Sequence, residues 1–282
     1  MNDNVGIFAN VPFSEYQAID ALNGSAIVHM RKSPMHYRYT ADNPQPPTEA
    51  MILGTATHQL ILEPHRVGDF AVWGEQESEK VRRGQVWEAF KAMHRGKLIV
   101  TKDQRDKMIG MAVAARKNVP VMKYANMKGS TEVVMVWDDK VYGRRFKGRI
   151  DKLIAKGHTI FDLKTTRDCG KYRFGGQAYT LGYHIKMAIY ASGYRTLTNH
   201  EPRMILGAIE SKAPHESAVY RITSDILLQG YDDLDVLMKK LADCEATNSW
   251  PGAEPDELEL TLPTYAYTEQ STETDMSDFE FV

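Results

Sequence analysis

A mixed α/β chain of the α+β kind, with a mixed central sheet flanked by helices, follows from three observations. Two β-prone runs rich in Ile, Leu, Phe and Thr flank the Lys156-Gly157 break between Tyr142 and Thr166, which is a hairpin pattern. Met204 to Glu210 and Ala218 to Thr223 read as two further strands. Helical patterns precede, separate and follow these runs, and the strands are too few and too mixed for a Rossmann or barrel plan.

From the N-terminus, Ser14-Glu-Tyr-Gln17 has the form of a capping box that opens a helix over residues 15–22. Asn23-Gly24 breaks it, and Ser25 caps a second helix through Arg31. Ser33-Pro34 starts a third helical piece at Met35–Tyr39. Its Lys32, His36, Tyr37 and Arg38 suit either a DNA backbone or a helix end packed by aromatics. Residues 42–48 hold three prolines and form a loop. Gly54 to Glu63 reads as a helix stopped before Pro64. His58 lies on a partly apolar face of it, where helical geometry alone makes it a core residue with a satisfied hydrogen bond.

Residues 74–97 are densely charged, and Arg82 and Arg83 stand beside Trp87 and Phe90. Such a stretch is either a solvated arm or a nucleic-acid contact of basic and stacking groups. Thr101-Lys-Asp-Gln104 is a second capping-box pattern, opening a helix to Lys117, and a shorter helix follows Pro120. Ser130 to Trp137 alternates as a strand, and Asp138-Asp139-Lys140 turns it into the hairpin. Glu132 on that strand is a candidate third carboxylate, or a strand residue paired with a basic neighbour. Tyr179, Tyr183, Lys186, Met187, Tyr190 and Tyr194 recur at helical spacing, a core stripe whose lysine carries one end to solvent or substrate. Ser224 caps a long helix to Thr247.

Residues 1–250 therefore read as one domain with a helical N-terminal part. Residues 251–282 read as an acidic tail, rich in Thr, Ser and Pro, whose composition favours disorder. From 253 onward there are nine acidic residues and no Lys or Arg, which leaves 35 basic against 28 acidic side chains in the body. A polyanionic partner fits that excess, as does a mildly basic globular surface. No run approaches the roughly 20 apolar residues of a membrane span. The first residues show no basic-then-apolar secretion signal. Two cysteines are too few for a disulfide framework or a four-cysteine metal site, so a reducing cytoplasm is expected.

The hairpin carries the chemistry. With the loop centred on Lys156-Gly157, residues whose numbers sum to 313 face each other, so Asp151 stands opposite Asp162. Opposed residues have Cβ atoms about 4.5–5.5 Å apart, and like charges there repel. A divalent cation between them, with Lys164 on the same face, resolves the repulsion. Hard carboxylate oxygens suit Mg²⁺ or Mn²⁺. Such a metal activates water and neutralises charge on a phosphodiester, with Lys164 orienting the water. Arg149 faces Lys164, as two cations do when an anion lies between them. The alternative is a surface hairpin whose exposed face is simply charged.

Gly148-Arg-Ile-Asp151 followed by Phe161-Asp162-Leu163-Lys164-Thr165-Thr166 resembles the core of the PDDEXK nuclease superfamily, in its RecB-like branch. Five further stretches resemble, more narrowly, the exonuclease VIII (RecE) nuclease domain and its phage relatives. They are Phe13-Ser-Glu-Tyr16, Lys32-Ser-Pro-Met-His-Tyr-Arg38, Gly54-Thr-Ala-Thr-His58, Arg83-Gly-Gln-Val-Trp87 with Phe90, and Gly182 to Tyr190. The resemblance runs in order from about residue 10 to 250.

It implies a restriction-endonuclease-like core in which Asp151 and Asp162 bind metal and Lys164 is the catalytic lysine. It also implies that the Leu163 carbonyl and His58 contact the metal, against the reading of His58 from helical geometry. Glu132 falls near a position where relatives carry an acid. Relatives carry Gln-x-x-x-Tyr on the following helix, where this chain has Lys186-Met-Ala-Ile-Tyr190. The resemblance further implies Mg²⁺-dependent 5′→3′ digestion of double-stranded DNA from ends, in phage-type homologous recombination. The implied partners are a single-strand annealing protein and further copies of the chain in a ring, in the cytoplasm of a bacterium or a phage-infected host. The alternatives are a DNA-end or recombination-partner binding protein with weak turnover, and a structure-selective repair endonuclease.

Overall fold

The computed structural model describes residues 4–76, 81–253, 257 and 259–261. Most of the acidic stretch from residue 254 lies outside the described residues, and so does its expected disorder. A six-stranded sheet runs in the order β1 (Gly6–Phe8), β4 (Ser130–Asp139), β5 (Arg144–Ile154), β6 (Thr159–Thr166), β7 (Arg203–Glu210), β8 (Ser217–Arg221). Only β6 and β7 pair in parallel, so the sheet is mixed. A second, two-stranded parallel sheet joins β2 (Phe70–Trp73) to β3 (Leu98–Thr101).

The crossover from β6 to β7 passes through α8 (Lys171–Thr180) and α9 (Tyr183–Thr198). With α10 (Ser224–Thr247), α9 covers one face of the sheet. Trp137, Phe146 and Ile160 pack there with Ile185, Met187, Ile189, Leu237 and Leu241. The other face is covered by α4 (Glu49–Leu62), α6 (Lys102–Lys117) and α7 (Val119–Asn126), where Phe161, Leu163 and Ile205 meet Leu60, Met111 and Val121. A sheet loaded with apolar side chains on both faces needs helices on both. Among the described residues no helix is long and apolar enough to cross a membrane.

Several starts and stops follow local chemistry. The Thr101 hydroxyl accepts from Gln104 N at 3.1 Å while the Gln104 side chain accepts from Thr101 N at 2.8 Å, the expected box. Ser33 caps α3 (Pro34–Asp42), accepting from His36 N at 3.2 Å. Elsewhere the caps move. Helix α1 (Phe13–Ala18) begins before Ser14 and has no side-chain cap. Asn23, not Ser25, caps α2 (Gly24–Val28), with its side chain accepting from Ala26 N at 3.0 Å. For α10 the cap residue is Thr223 rather than Ser224.

The N-terminal segment is tied to the sheet by Lys147. Its buried ammonium donates to the carbonyls of Tyr16, Gln17 and Ile19 at 3.0, 3.0 and 2.6 Å, which satisfies the orphan acceptors at the end of α1. Helices α9 and α10 touch backbone to backbone at Gly230, where an added Cβ would sit 2.4 Å from the His184 carbonyl oxygen. Gly230→Ala therefore forces the helices apart, and we expect a loss of about 1–3 kcal/mol, read from the urea midpoint.

Candidate active site

The hairpin forms in the expected register: Lys152 pairs with Phe161, Leu153 with Ile160 and Ile154 with Thr159, across a loop at residues 155–158. Continued outward, that register places Asp151 opposite Asp162, but the ladder stops one step short of them. Leu163 N–H donates to the Asp151 carboxylate at 2.7 Å instead of to a strand carbonyl. The strands open where the carboxylates sit.

A second irregularity lies on the other side of β5. Ile150 and Leu153 are three residues apart yet pack in the same cluster, so the alternation of faces breaks between them. In the β4–β5 register Glu132 stands across from Asp151, and its φ is +50°. A non-glycine residue in the left-handed region costs about 1 kcal/mol or more and marks a strained point in a strand whose register is the same on either side of it. The irregularity lies at Asp151, and the Glu132 carboxylate stands close enough to feel its charge.

Helix α4 packs on β5 and β6 and delivers His58, whose Nδ1 lies 3.2 Å from Asp151. His58 Nε2 is buried with no hydrogen-bond partner among the described residues. The satisfied core histidine expected from helical geometry is thus only half true. Asp162, 2% exposed, is ion-paired with Lys164. Lys164 also donates to the Leu163 carbonyl at 3.1 Å, and its ammonium lies 5.4 Å from the Tyr183 ring centroid.

The charges order themselves accordingly. Burial pushes the Asp151 carboxyl up, but His58, Lys164 and the Leu163 N–H outweigh it and hold it down to about 2. Burial pushes Glu132 up and the Asp151 charge adds to it, bringing it to about 7 despite Arg149. Burial opposes the Lys164 ammonium, and Asp162 with Asp151 overcomes that and keeps it protonated. Lys186 is lowered to about 8, first by burial and then by Lys164. Helix α2 packs directly on it, since a Cβ on Gly24 would lie 3.2 Å from Lys186 Cγ.

Most of the expected site residues thus converge. Arg149 pairs with Glu132 at 2.8 Å rather than facing an open anion position with Lys164, and the Tyr190 hydroxyl donates to the Arg149 carbonyl at 3.2 Å. Two of the other expected arginines make contacts of their own, and a third is exposed. Arg38 pairs with Asp42 at 2.8 Å and stands over Trp250. Arg82 stands over Trp87, and Arg83 is exposed at the start of α5 (Gly84–Met93). Two neighbours escaped the sequence. Phe13, 51% exposed, lies under the Arg149 guanidinium at 5.0 Å. Glu63, five residues past His58, accepts from Thr131 at 2.7 Å and adds to the field on Glu132. Glu63 is the non-helical cap residue after α4, and no helical spacing in the sequence ties it to His58.

The donor set is one imidazole nitrogen, carboxylate oxygens and a backbone carbonyl, around a buried ring nitrogen that lacks a partner. These residues fit a hard divalent cation such as Mg²⁺ or Mn²⁺. Cys169, Glu210 and Glu216 also bring ligand atoms within 4.8 Å of one another. Burial and Glu210 raise the Cys169 thiol to about 11, so it stays protonated and is a poor ligand.

Residues 24–259 match the family described as a PDDEXK-like domain of unknown function (DUF3799). No curated protein matches the chain. Among solved structures, a candidate exonuclease from Eubacterium rectale is similar over 91% of this chain and 95% of that one, at 13% identity and a TM-score of 0.61. A phage-related exonuclease from Haemophilus somnus 129PT overlaps 81% of this chain and 96% of its own at 8% identity, with a TM-score of 0.36. The first likeness extends the shared fold over nearly the whole chain; the second carries no argument. With the mixed sheet, the opened hairpin and the family match in agreement, this chain belongs to the PDDEXK-like family and carries its nuclease fold.

Proposed function

We propose that the protein is a metal-dependent deoxyribonuclease, most simply a 5′→3′ exonuclease that digests double-stranded DNA from ends. The observation that carries this reading is the cluster of Asp151, Asp162, Lys164 and His58 at the point where β5 and β6 part. Mg²⁺, with Mn²⁺ as substitute, would be held by Asp151, Asp162, His58 and the Leu163 carbonyl, and when bound supplies an activated water and neutralises phosphate charge. Lys164 keeps its proton and donates toward the attacking water or the phosphate oxygen. Arg149 and Lys186 bring positive charge to the phosphates, and Tyr190 fixes the strand that carries Arg149. End-directed action, a role in phage-type recombination with an annealing protein, ring assembly and a cytoplasmic setting rest on the resemblance to exonuclease VIII. With Mg²⁺, linear duplex is expected to disappear while covalently closed circles persist, and EDTA is expected to stop the reaction. Equal loss of circles would replace the exonuclease by an endonuclease.

Lys186 favours a second reading, a DNA-end binding protein with slow turnover. A second buried cation beside Lys164 opposes metal binding at the same carboxylates.

A further inference from the structure

Next to the carboxylates the same sheet face runs into a cavity. Asp162 pairs with Leu206 on β7, and Leu206 pairs with Tyr220 on β8, so the three form one row with neighbours about 4.8 Å apart. Leu206 and Tyr220 line a cavity of about 440 Å³ between β7–β8 and helices α8, α9 and α10. That volume falls in the range of small-molecule sites, about 300–1,000 Å³.

The lining is mostly apolar and aromatic. Phe174 and Tyr220 stack on each other at 5.1 Å and 21°, and both rings line the cavity. Tyr183 is a wall shared with the candidate active site, because Lys164 stands against its ring. Two exposed cations, Lys171 and Arg221, also line the cavity. His184, 6% exposed, lines it as well. Its Nε2 contacts Asp233 at 2.8 Å, and its buried Nδ1 has no partner among the described residues.

Aromatic faces beside cations and an unpaired ring nitrogen, one strand away from a carboxylate proposed to hold the metal, match the parts of a nucleotide. We propose that this cavity binds a deoxynucleotide, its base against Phe174, Tyr183 and Tyr220 and its phosphate at Lys171 and Arg221. The bound nucleotide is the one adjoining the scissile phosphate, unstacked from its neighbour, or the mononucleotide released from it. Stacking of this kind accepts every base, because each has a π-face. The identity of the ligand rests on the nuclease reading; the cavity and its lining do not.

The test is calorimetric titration of the full chain in EDTA with dAMP, deoxyribose 5-phosphate and inorganic phosphate. We expect dAMP to bind at least tenfold more tightly than either base-free ligand. Gly175→Leu, whose Cβ meets nothing within 4 Å, and Ala178→Phe both push side chains into the cavity and are expected to weaken dAMP at least tenfold. Equal binding of the three ligands, no binding of dAMP, or dAMP binding unchanged in both variants overturns the proposal. Digestion of linear duplex with Mg²⁺ in the same preparations separates the two readings. Digestion without dAMP binding removes the cavity alone, and dAMP binding without digestion keeps the cavity and removes the nuclease reading.

Discussion

Asp162→Ala is expected to lower metal-dependent digestion by about 10³-fold and to unfold at a lower urea concentration than the parent chain. Asp162 is buried and ion-paired with Lys164, so its removal strands a buried ammonium, at a cost of about 3–5 kcal/mol. Adding Lys164→Met to Asp162→Ala replaces the stranded charge with an apolar side chain of similar length. Most of the stability should return while digestion stays absent. The double variant thus separates a loss of chemistry from a loss of folding, using a gel assay and urea midpoints. Digestion that survives Asp162→Ala sinks the proposed site. A double variant no more stable than the single one denies the pairing of Lys164 with Asp162.

Lys186→Gln is the second large effect, and its sign differs between stability and binding. In the folded chain the Lys186 ammonium is lowered from 10.5 to about 8, by burial and then by Lys164. Between those values the unfolded chain binds more protons than the folded one, so this group raises stability as pH increases from about 8 to 10.5. Below pH 8 the full penalty is present. Lys186→Gln removes it, and we expect about 1–2 kcal/mol of added stability at pH 7, allowing for solvent that still reaches the partly buried side chain. The gain should vanish by about pH 10.5.

Duplex binding should show one fewer phosphate contact, the slope of log affinity against log salt falling by about 1. With one cation fewer near the carboxylates, half-maximal digestion should need several-fold less Mg²⁺. A variant that digests duplex where the parent does not would select the slow-turnover reading. An unchanged Mg²⁺ requirement would place Lys186 outside the metal's field.

Much of the site was legible because it is built from local rules. A Lys-Gly break between two β-prone runs sets a hairpin register, so the pairing of Lys152, Leu153 and Ile154 needed no tertiary information, while the ladder ends one step before Asp151 and Asp162. The Thr101 box and the Ser33 cap are likewise decided within four residues. The caps that moved at α2 and α10 sit where polar residues compete within two positions, Asn23 with Ser25 and Thr223 with Ser224, whereas α1 starts at Pro12-Phe13 with no side-chain cap.

Tertiary structure alone decided the rest. Strand β1 has three residues, and β2 and β3 have four each, too short for a period to emerge. His58 looked like a core residue from its own helix. Packing of α4 on β5 and β6 brings its ring to Asp151 and leaves Nε2 unpartnered. Glu132 needed a left-handed backbone that no sequence period predicts. The aromatic stripe from Tyr179 to Tyr194 read as core, but Tyr179 lies on α8 and is exposed. Tyr183 on α9 is buried, yet it is the wall between Lys164 and a cavity that only the crossing of α8, α9 and β8 creates. The chain alone thus determined the register of the central hairpin. The burial of its charges, their partners and the space beside them arise from side chains far apart in sequence and existed only once the helices closed over the sheet.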